Sequence, residues 1–491
     1  MAENKYIITI DLGTTLIKFG LFDENLREIC IHSLSYDLKI DGNYIEFDAL
    51  QYWELCLKGM DELLLKSGIN RKNAIVISLS SQAETIVPVD INGNPLRNAI
   101  SWLDSRSAGE VDAIRREFDV EKAYGITGQP DIITTWPASK ILWMKSNEKQ
   151  IYDKAYKFLL LKDFIIYKLT GQFVSEFSIY NFSYYFDINK KNYWNEMLKF
   201  LGIDIDKLPE LKEPGEKAGL LAKENSEFLN LATDVVVNCG CLDQMAGMIG
   251  TGNIRPGVIG ETTGTVMVIC AVVNKPNINK YRIPCHYNAV KNTYVMLPIV
   301  ESGGISLEWF KNNFADRISF KQMDLEVKNL LPRADDPVFL PYIVGVNSPE
   351  YNPDARGVFY GLSVSHNNTH LAKAVMEGIC FILKKNLRYL GQIDIESEKI
   401  ISSGGGSNSD VWNQMKADIL DKEVMVMESK EAASLGCAIL GAVDIGFFSN
   451  VEEAVRKAVR VKTIYQPDNQ NKSYYEKQYE LFLDIYDRLY K

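Results

Sequence analysis

Two short turns of the same kind, about 250 residues apart, constrain this chain more than any other feature. The first, Asp11-Leu12-Gly13-Thr14-Thr15, follows an apolar run from Tyr6 and precedes an alternation through Ile17, Phe19 and Leu21. That is the pattern of two strands joined tightly. The second, Gly260-Glu261-Thr262-Thr263-Gly264-Thr265, opens onto Val266-Met267-Val268-Ile269. Either turn alone reads equally well as an ordinary hairpin. Their repetition argues for two halves that are divergent copies of one unit. Length points the same way, because 491 residues exceed what one hydrophobic core usually organises. Two domains, 1–251 and 252–491, are expected, with a cleft between them. The boundary is placed in the stretch containing Gly247, Gly250, Gly252, Pro256 and Gly257.

Between the turns, Trp53 to Leu65 has helical spacing and Ala74 to Leu79 reads as a buried strand. Asn92-Gly93 after Ile86-Val87-Pro88-Val89 is a hairpin turn signal. Alternating strands and helices define an α/β chain. From about Asn450 onward, charges alternate with aromatics in a helical manner, which predicts outer helices without chemistry.

Lys and Arg total 54 against 64 Asp and Glu, and the net charge of −10 argues against nucleic acid or an anionic membrane as partner. The start Met1-Ala2-Glu3-Asn4-Lys5 lacks a secretory pattern, and no window approaches 18 continuous apolar residues. A cytoplasmic protein is expected. The eight cysteines lack metal-site spacing and read as reduced core thiols.

No G-x-x-x-x-G-K-[ST] run occurs, so ATP would need another phosphate cradle. Backbone N–H groups and Thr hydroxyls at the two turns supply donors without adding charge. A third glycine cluster, Ser403-Gly404-Gly405-Gly406-Ser407-Asn408, follows the strand-like Lys399-Ile400-Ile401. It is either a surface against which a nucleotide base can lie or a flexible loop. Asp243, after Val235-Val236-Val237 and Cys239-Gly240-Cys241-Leu242, is either a helix cap or a general base for a sugar hydroxyl. Glu84, Trp102, Asp104 and Arg106 form a polar group that could hold a sugar or make a surface ion-pair cluster.

In order and spacing these pieces resemble the FGGY carbohydrate kinases: Asp11 to Thr15, Trp102-Leu103-Asp104-Ser105-Arg106, Asp243-Gln244, Gly264-Thr265, and Gly404-Gly405-Gly406 with Trp412-Asn413-Gln414. That family's C-terminal signature is matched by Gly357 to Leu362 and His370 to Glu377, its N-terminal one in part by Pro137, Lys140 and Trp143. The resemblance spans about Lys5 to Phe448. It implies two ribonuclease-H-like (actin-like ATPase) domains, the first holding sugar and the second ATP, with the active-site cleft between. It also implies Mg2+ and a small-molecule sugar or polyol substrate, and allows a homodimer. Under it Asp243 is the catalytic base and Asp11 acts at the metal. Thr14, Thr15, Gly264 and Thr265 meet phosphates, while Gly304, Gly405 and Gly406 line the nucleotide. Glu84, Trp102, Asp104, Arg106 and Gln244 belong to the substrate site. Gln82-Ala83-Glu84-Thr85 has Ala83 where glycerol kinases carry arginine, and Thr135 stands where they carry tyrosine. The Met-His pair of xylulokinases is absent from that loop. A ketose such as xylulose or ribulose, or a short polyol, is expected. A sensor on the same scaffold that has lost catalysis is the competing reading.

Overall fold

A computed structural model describes residues 4–491; the expectations placed on Met1–Glu3 lie outside them. The chain opens with β1 (Tyr6–Leu12), β2 (Leu16–Asp23) and β3 (Glu28–Ser35), paired antiparallel in sequence. Helix α1 (Ala49–Ser67) follows. Asp48 caps it by accepting from the N–H groups of Leu50 and Gln51, and Gly68 ends it at φ +67°. Tyr52, Cys56, Met60, Leu63 and Leu64 recur at helical spacing and bury one face under the sheet. β4 (Ala74–Ser81) then runs parallel to β1, and β5 (Val236–Asn238) parallel to β4. The core order is β3-β2-β1-β4-β5, and α2 (Asp243–Thr251) starts where the short strand Cys241–Leu242 pairs with the end of β4.

The second half repeats this plan. β6 (Val258–Thr263), β7 (Met267–Val273) and β8 (Tyr294–Met296) are antiparallel neighbours, followed by α3 (Gly304–Phe314). β9 (Lys399–Ser403) lies parallel to β6; beyond α4 (Asp410–Leu420), β10 (Glu423–Met427) lies parallel to β9. The order β8-β7-β6-β9-β10 has the directions of the first sheet. Both sheets therefore have the ribonuclease-H-like arrangement. The final stretch holds the expected helices, Val451–Ala458 and Lys472–Tyr490, but Val461–Tyr465 between them is a strand paired with β10. Its β-branched Val461, Thr463 and Ile464 favour extended backbone, and helical periodicity missed it.

α5 (Ala432–Asp444) comes from the second half yet packs on β1 and β4 of the first sheet, and it crosses α2. At the crossing a Cβ on Gly436 would lie 1.9 Å from the Ala246 carbonyl oxygen, and one on Gly250 would lie 1.9 Å from that of Ala432. Two matching Ala-x-x-x-Gly steps thus let the helix backbones touch, and any side chain there would push them apart. A five-stranded sheet inserted into the first half has the order Lys39–Asp41, Tyr44–Phe47, Ala99–Ile100, Ile86–Val89, Lys157–Leu160. It carries Glu84 and the Trp102 loop at its strand ends. All eight cysteines are free thiols, seven of them buried. No helix among the described residues is long and apolar enough to cross a membrane.

Candidate active site

Asp11 lies near the end of β1, and its Oδ1 accepts a 2.7 Å hydrogen bond from Ser80 Oγ, its register partner on β4. Burial raises its carboxyl above the ordinary range, with the Ser80 hydrogen bond and the Lys18 charge opposing. Lys18 also reaches across to Glu431, ahead of α5, at 2.8 Å. In the turn that follows, the Gly13 N–H donates to the Leu16 carbonyl at 3.1 Å. Behind it, the Gly13 carbonyl accepts from Tyr36 and Tyr52 hydroxyls at 3.3 and 3.4 Å and from Gln82 Nε2 at 3.5 Å. The backbone of this turn is therefore held from behind while Thr15 stays exposed at its tip.

The second turn is held differently. Gly264 donates to the Val266 carbonyl at 2.9 Å, and its own carbonyl accepts the Gly304 N–H at 2.9 Å. Ile305 N–H donates to the Thr265 carbonyl at 3.0 Å, so the first turn of α3 docks directly on Gly264 and Thr265. A Cβ at Gly304 would stand 2.3 Å from the Gly264 carbonyl oxygen. A Cβ at Gly404, whose φ is +77°, or at Gly406 would stand 2.7 or 2.9 Å from Thr263. Gly264, Thr265, Gly304, Gly405 and Gly406, expected together from sequence, are brought together at one end of the second sheet.

Asp243 is the first residue of α2. It keeps part of its surface open, while protein surrounds it otherwise. Burial, then the neighbouring Asp11 charge, pushes its carboxyl up to about 7, against the pull of the Gln244 N–H, which donates to it at 2.6 Å. A carboxyl held there is half ionised near neutral pH and can take up a proton. Gln244 Nε2 donates to Cys270 Sγ on β7 at 3.2 Å, tying α2 to the second sheet.

Glu84 lies between β4 and the strand Ile86–Val89 with φ +61°, a conformation non-glycine residues rarely adopt. The Thr85 N–H donating to the Ala83 carbonyl at 2.7 Å closes this tight turn. Strained backbone of this kind gathers at functional sites. Burial pushes the Glu84 carboxyl up to about 8 and the fully buried Lys140 ammonium down to about 7, each partly offset by the other's charge. Lys140 Nζ donates to the Ser101 and Thr135 carbonyls at 2.8 and 2.9 Å, which fixes the loops on either side. Trp102 indole N–H donates to Thr14 Oγ1 at 3.0 Å, so the first turn and the Trp102 loop touch.

Asp104 and Arg106 are placed behind this group. The Arg106 Nη2 donates to Asp104 Oδ2 and Glu46 Oε1, both at 2.6 Å, and its guanidinium lies 4.1 Å over the Tyr44 ring. Asp104 Oδ2 also accepts the Ile45 N–H at 2.6 Å, and both side chains are essentially inaccessible. The surface ion-pair alternative is corrected: the pair is internal. Sequence reasoning did not single out Ser80 or Gln82, although register with Asp11 and the Gln82-Ala83-Glu84 string mark them. Nor did it give Lys140 a role; a lysine within the apolar run of Pro137 to Trp143 is the available signal. Among the described residues no group of three or more His, Cys, Asp or Glu could hold a metal. A cavity of about 400 Å³ lined by Lys373, Gln414 and Tyr475 contains none of these residues.

Two copies of one sheet, each with a glycine turn after its first strand, meet where α5 crosses α2, the helix that begins at Asp243. The chain belongs to the FGGY family of carbohydrate kinases, whose N-terminal domain matches residues 6–250 and whose C-terminal domain matches residues 261–445. It is 28% identical to a xylulose kinase of Bacillus subtilis over 98% of this chain and 97% of the relative. It is 30% identical to a gluconokinase of Bacillus licheniformis over 98% of this chain and 95% of the relative. Among solved structures, a ligand-bound xylulose kinase from Lactobacillus acidophilus superposes with a TM-score of 0.91 at 25% identity, covering 99% of this chain and 98% of that one.

Proposed function

We propose that this kinase transfers the γ-phosphoryl of ATP to a hydroxyl of a ketose such as xylulose or ribulose, with a short polyol as the other candidate. The observation that carries the reading is Asp243, a carboxyl on the first turn of α2 held near neutrality by burial and by Asp11. Ionised, it accepts the proton of the attacking sugar hydroxyl as the phosphoryl group moves. Trp102 walls the carbon skeleton, and Glu84 and Gln244 accept or donate at sugar hydroxyls. Asp104 and Arg106 serve the sugar site by fixing the loop that bears Trp102. Thr14, Thr15, Gly264 and Thr265 donate to phosphate oxygens, with Gly304, Gly405 and Gly406 against the nucleoside.

The residues fit Mg2+: Asp11 adds its charge to Asp243, and such cations are commonly held by one or two carboxylates plus substrate phosphates. Asp11 would hold the ion with the ATP phosphates, and the ion would neutralise charge on the transferred group. Domain limits of 1–251 and 252–491 divide the two sheets. Cytoplasmic location stays the expectation drawn from the sequence, and the family resemblance allows a homodimer.

Xylulose kinase relatives support the ketose. Ala83 and Thr135, where glycerol kinases carry larger contact residues, argue against glycerol. The test is ADP release with Mg·ATP against xylulose, ribulose, gluconate, erythritol and glycerol. A dominant rate with one ketose is expected. A dominant rate with gluconate or glycerol would overturn the substrate assignment, and background rates throughout, with ATP still bound, would favour a silent scaffold.

A further inference from the structure

One side-chain hydrogen bond joins the wall of the sugar site to the first phosphate turn. Trp102 Nε1–H donates to Thr14 Oγ1 at 3.0 Å, and the Thr14 hydroxyl donates onward to Gln82 Oε1 at 3.3 Å. Trp102 is anchored from the other side, its backbone N–H donating to Thr85 Oγ1 at 3.1 Å beside Glu84. An indole has a single polar hydrogen, and here that hydrogen is committed to the threonine. A hydroxyl that accepts a hydrogen bond becomes a stronger donor of its own proton. Without the indole, the Thr14 hydroxyl would be free to rotate and would be a weaker donor.

We infer that Trp102 is a positioning residue for the nucleotide as well as a wall for the sugar, acting through Thr14. Its ring faces one substrate while its N–H orients the hydroxyl that meets the other. When a phosphate oxygen replaces Gln82 as acceptor, the indole continues to hold Thr14 Oγ1 in place. The Gln82 amide stays engaged through its Nε2, which reaches the Gly13 carbonyl and the Tyr36 hydroxyl, each at 3.5 Å. The inference rests on the proposed contact between Thr14 and phosphate.

The test is calorimetric binding of Mg2+ with the non-hydrolysable analogue β,γ-imido-ATP, without sugar, so that loss of the sugar wall does not enter. Trp102→Phe keeps a flat apolar ring and removes the donor; about three- to tenfold weaker binding is expected, the scale of one net hydrogen bond. Thr14→Val should lose at least as much, and the double variant should bind no more weakly than Thr14→Val alone. Thr14→Ser, which keeps the hydroxyl, should remain within about twofold and still respond to Trp102→Phe. Circular dichroism checks that each variant is folded. Equal binding by Trp102→Phe, or losses that multiply in the double variant, would overturn the inference alone. Failure of the unaltered protein to bind the analogue would remove the nucleotide reading and this inference with it.

Discussion

The two turns occupy the same place in two copies of one sheet, yet only the first carries charge. Two residues before Gly13 stands Asp11, bonded to its register partner Ser80; two before Gly264 stands Thr262, whose hydroxyl meets that of its register partner Ser403 at 2.8 Å. The acidic residue that makes the second turn look like the first is Glu261, one position earlier. Strand side chains alternate between faces, so that one-residue offset sends Glu261 to the opposite side of the sheet. There it is buried with Lys416 and Ser402 and accepts from Thr263 Oγ1 at 2.6 Å. The backing differs too, being side-chain donors behind Gly13 and the backbone of α3 behind Gly264. On the function proposed above, the first half supplies carboxylates for the transfer, while the second offers neutral donors to the nucleotide.

The sharpest way to break this comparison is to neutralise each half in turn. Asp11→Asn should lower turnover at least about a hundredfold, while Thr262→Ala at the matching position should cost at most about tenfold. Steady-state rates check both; similar losses would mean the halves share the charge chemistry. Lys416→Met addresses the buried acid of the second half. It strands Glu261 without its counter-charge and should destabilise the protein by about 3–5 kcal/mol in denaturant unfolding. Gly304→Ala tests the backbone support of the second turn. A Cβ cannot fit 2.3 Å from the Gly264 oxygen, so a loss of about 1–3 kcal/mol and a raised KM for ATP are expected, with KM for sugar unmoved. The smallest effect belongs to the first turn's support: Tyr52→Phe removes one of three donors to the Gly13 carbonyl and should cost about 1 kcal/mol in unfolding measurements.

Much of this was legible in the sequence because it depends on local pattern. Apolar alternation around Gly13 and Gly264, the buried run at Ala74 and the glycines at 404–406 each announce a strand, a turn or a close approach. The candidate site residues were singled out through their order along the chain. Partnership across the fold was not. Nothing near Asp104 or Arg106 says that Glu46 and Tyr44 will cover them, and nothing near Trp102 says that its N–H will find Thr14. The face on which Glu261 lies was not legible for the same reason, since only strand register assigns a side chain to a face. Val461–Tyr465 was missed because a five-residue edge strand between two helices is set by its pairing with β10.

The central claim is that Asp243 acts as the base. The most direct measurement is the pH dependence of kcat/KM for the preferred sugar, with saturating Mg·ATP, in the unaltered protein and in Asp243→Asn. Because the working form is the carboxylate and burial raises its pKa above the ordinary range, the unaltered rate should fall about tenfold per pH unit on the acid side of that raised pKa and level off above it. Asp243→Asn should fold, lose about a hundredfold or more at pH 8 and show no such slope. A variant that keeps more than a tenth of the rate, or that retains the same pH profile, would contradict the assignment.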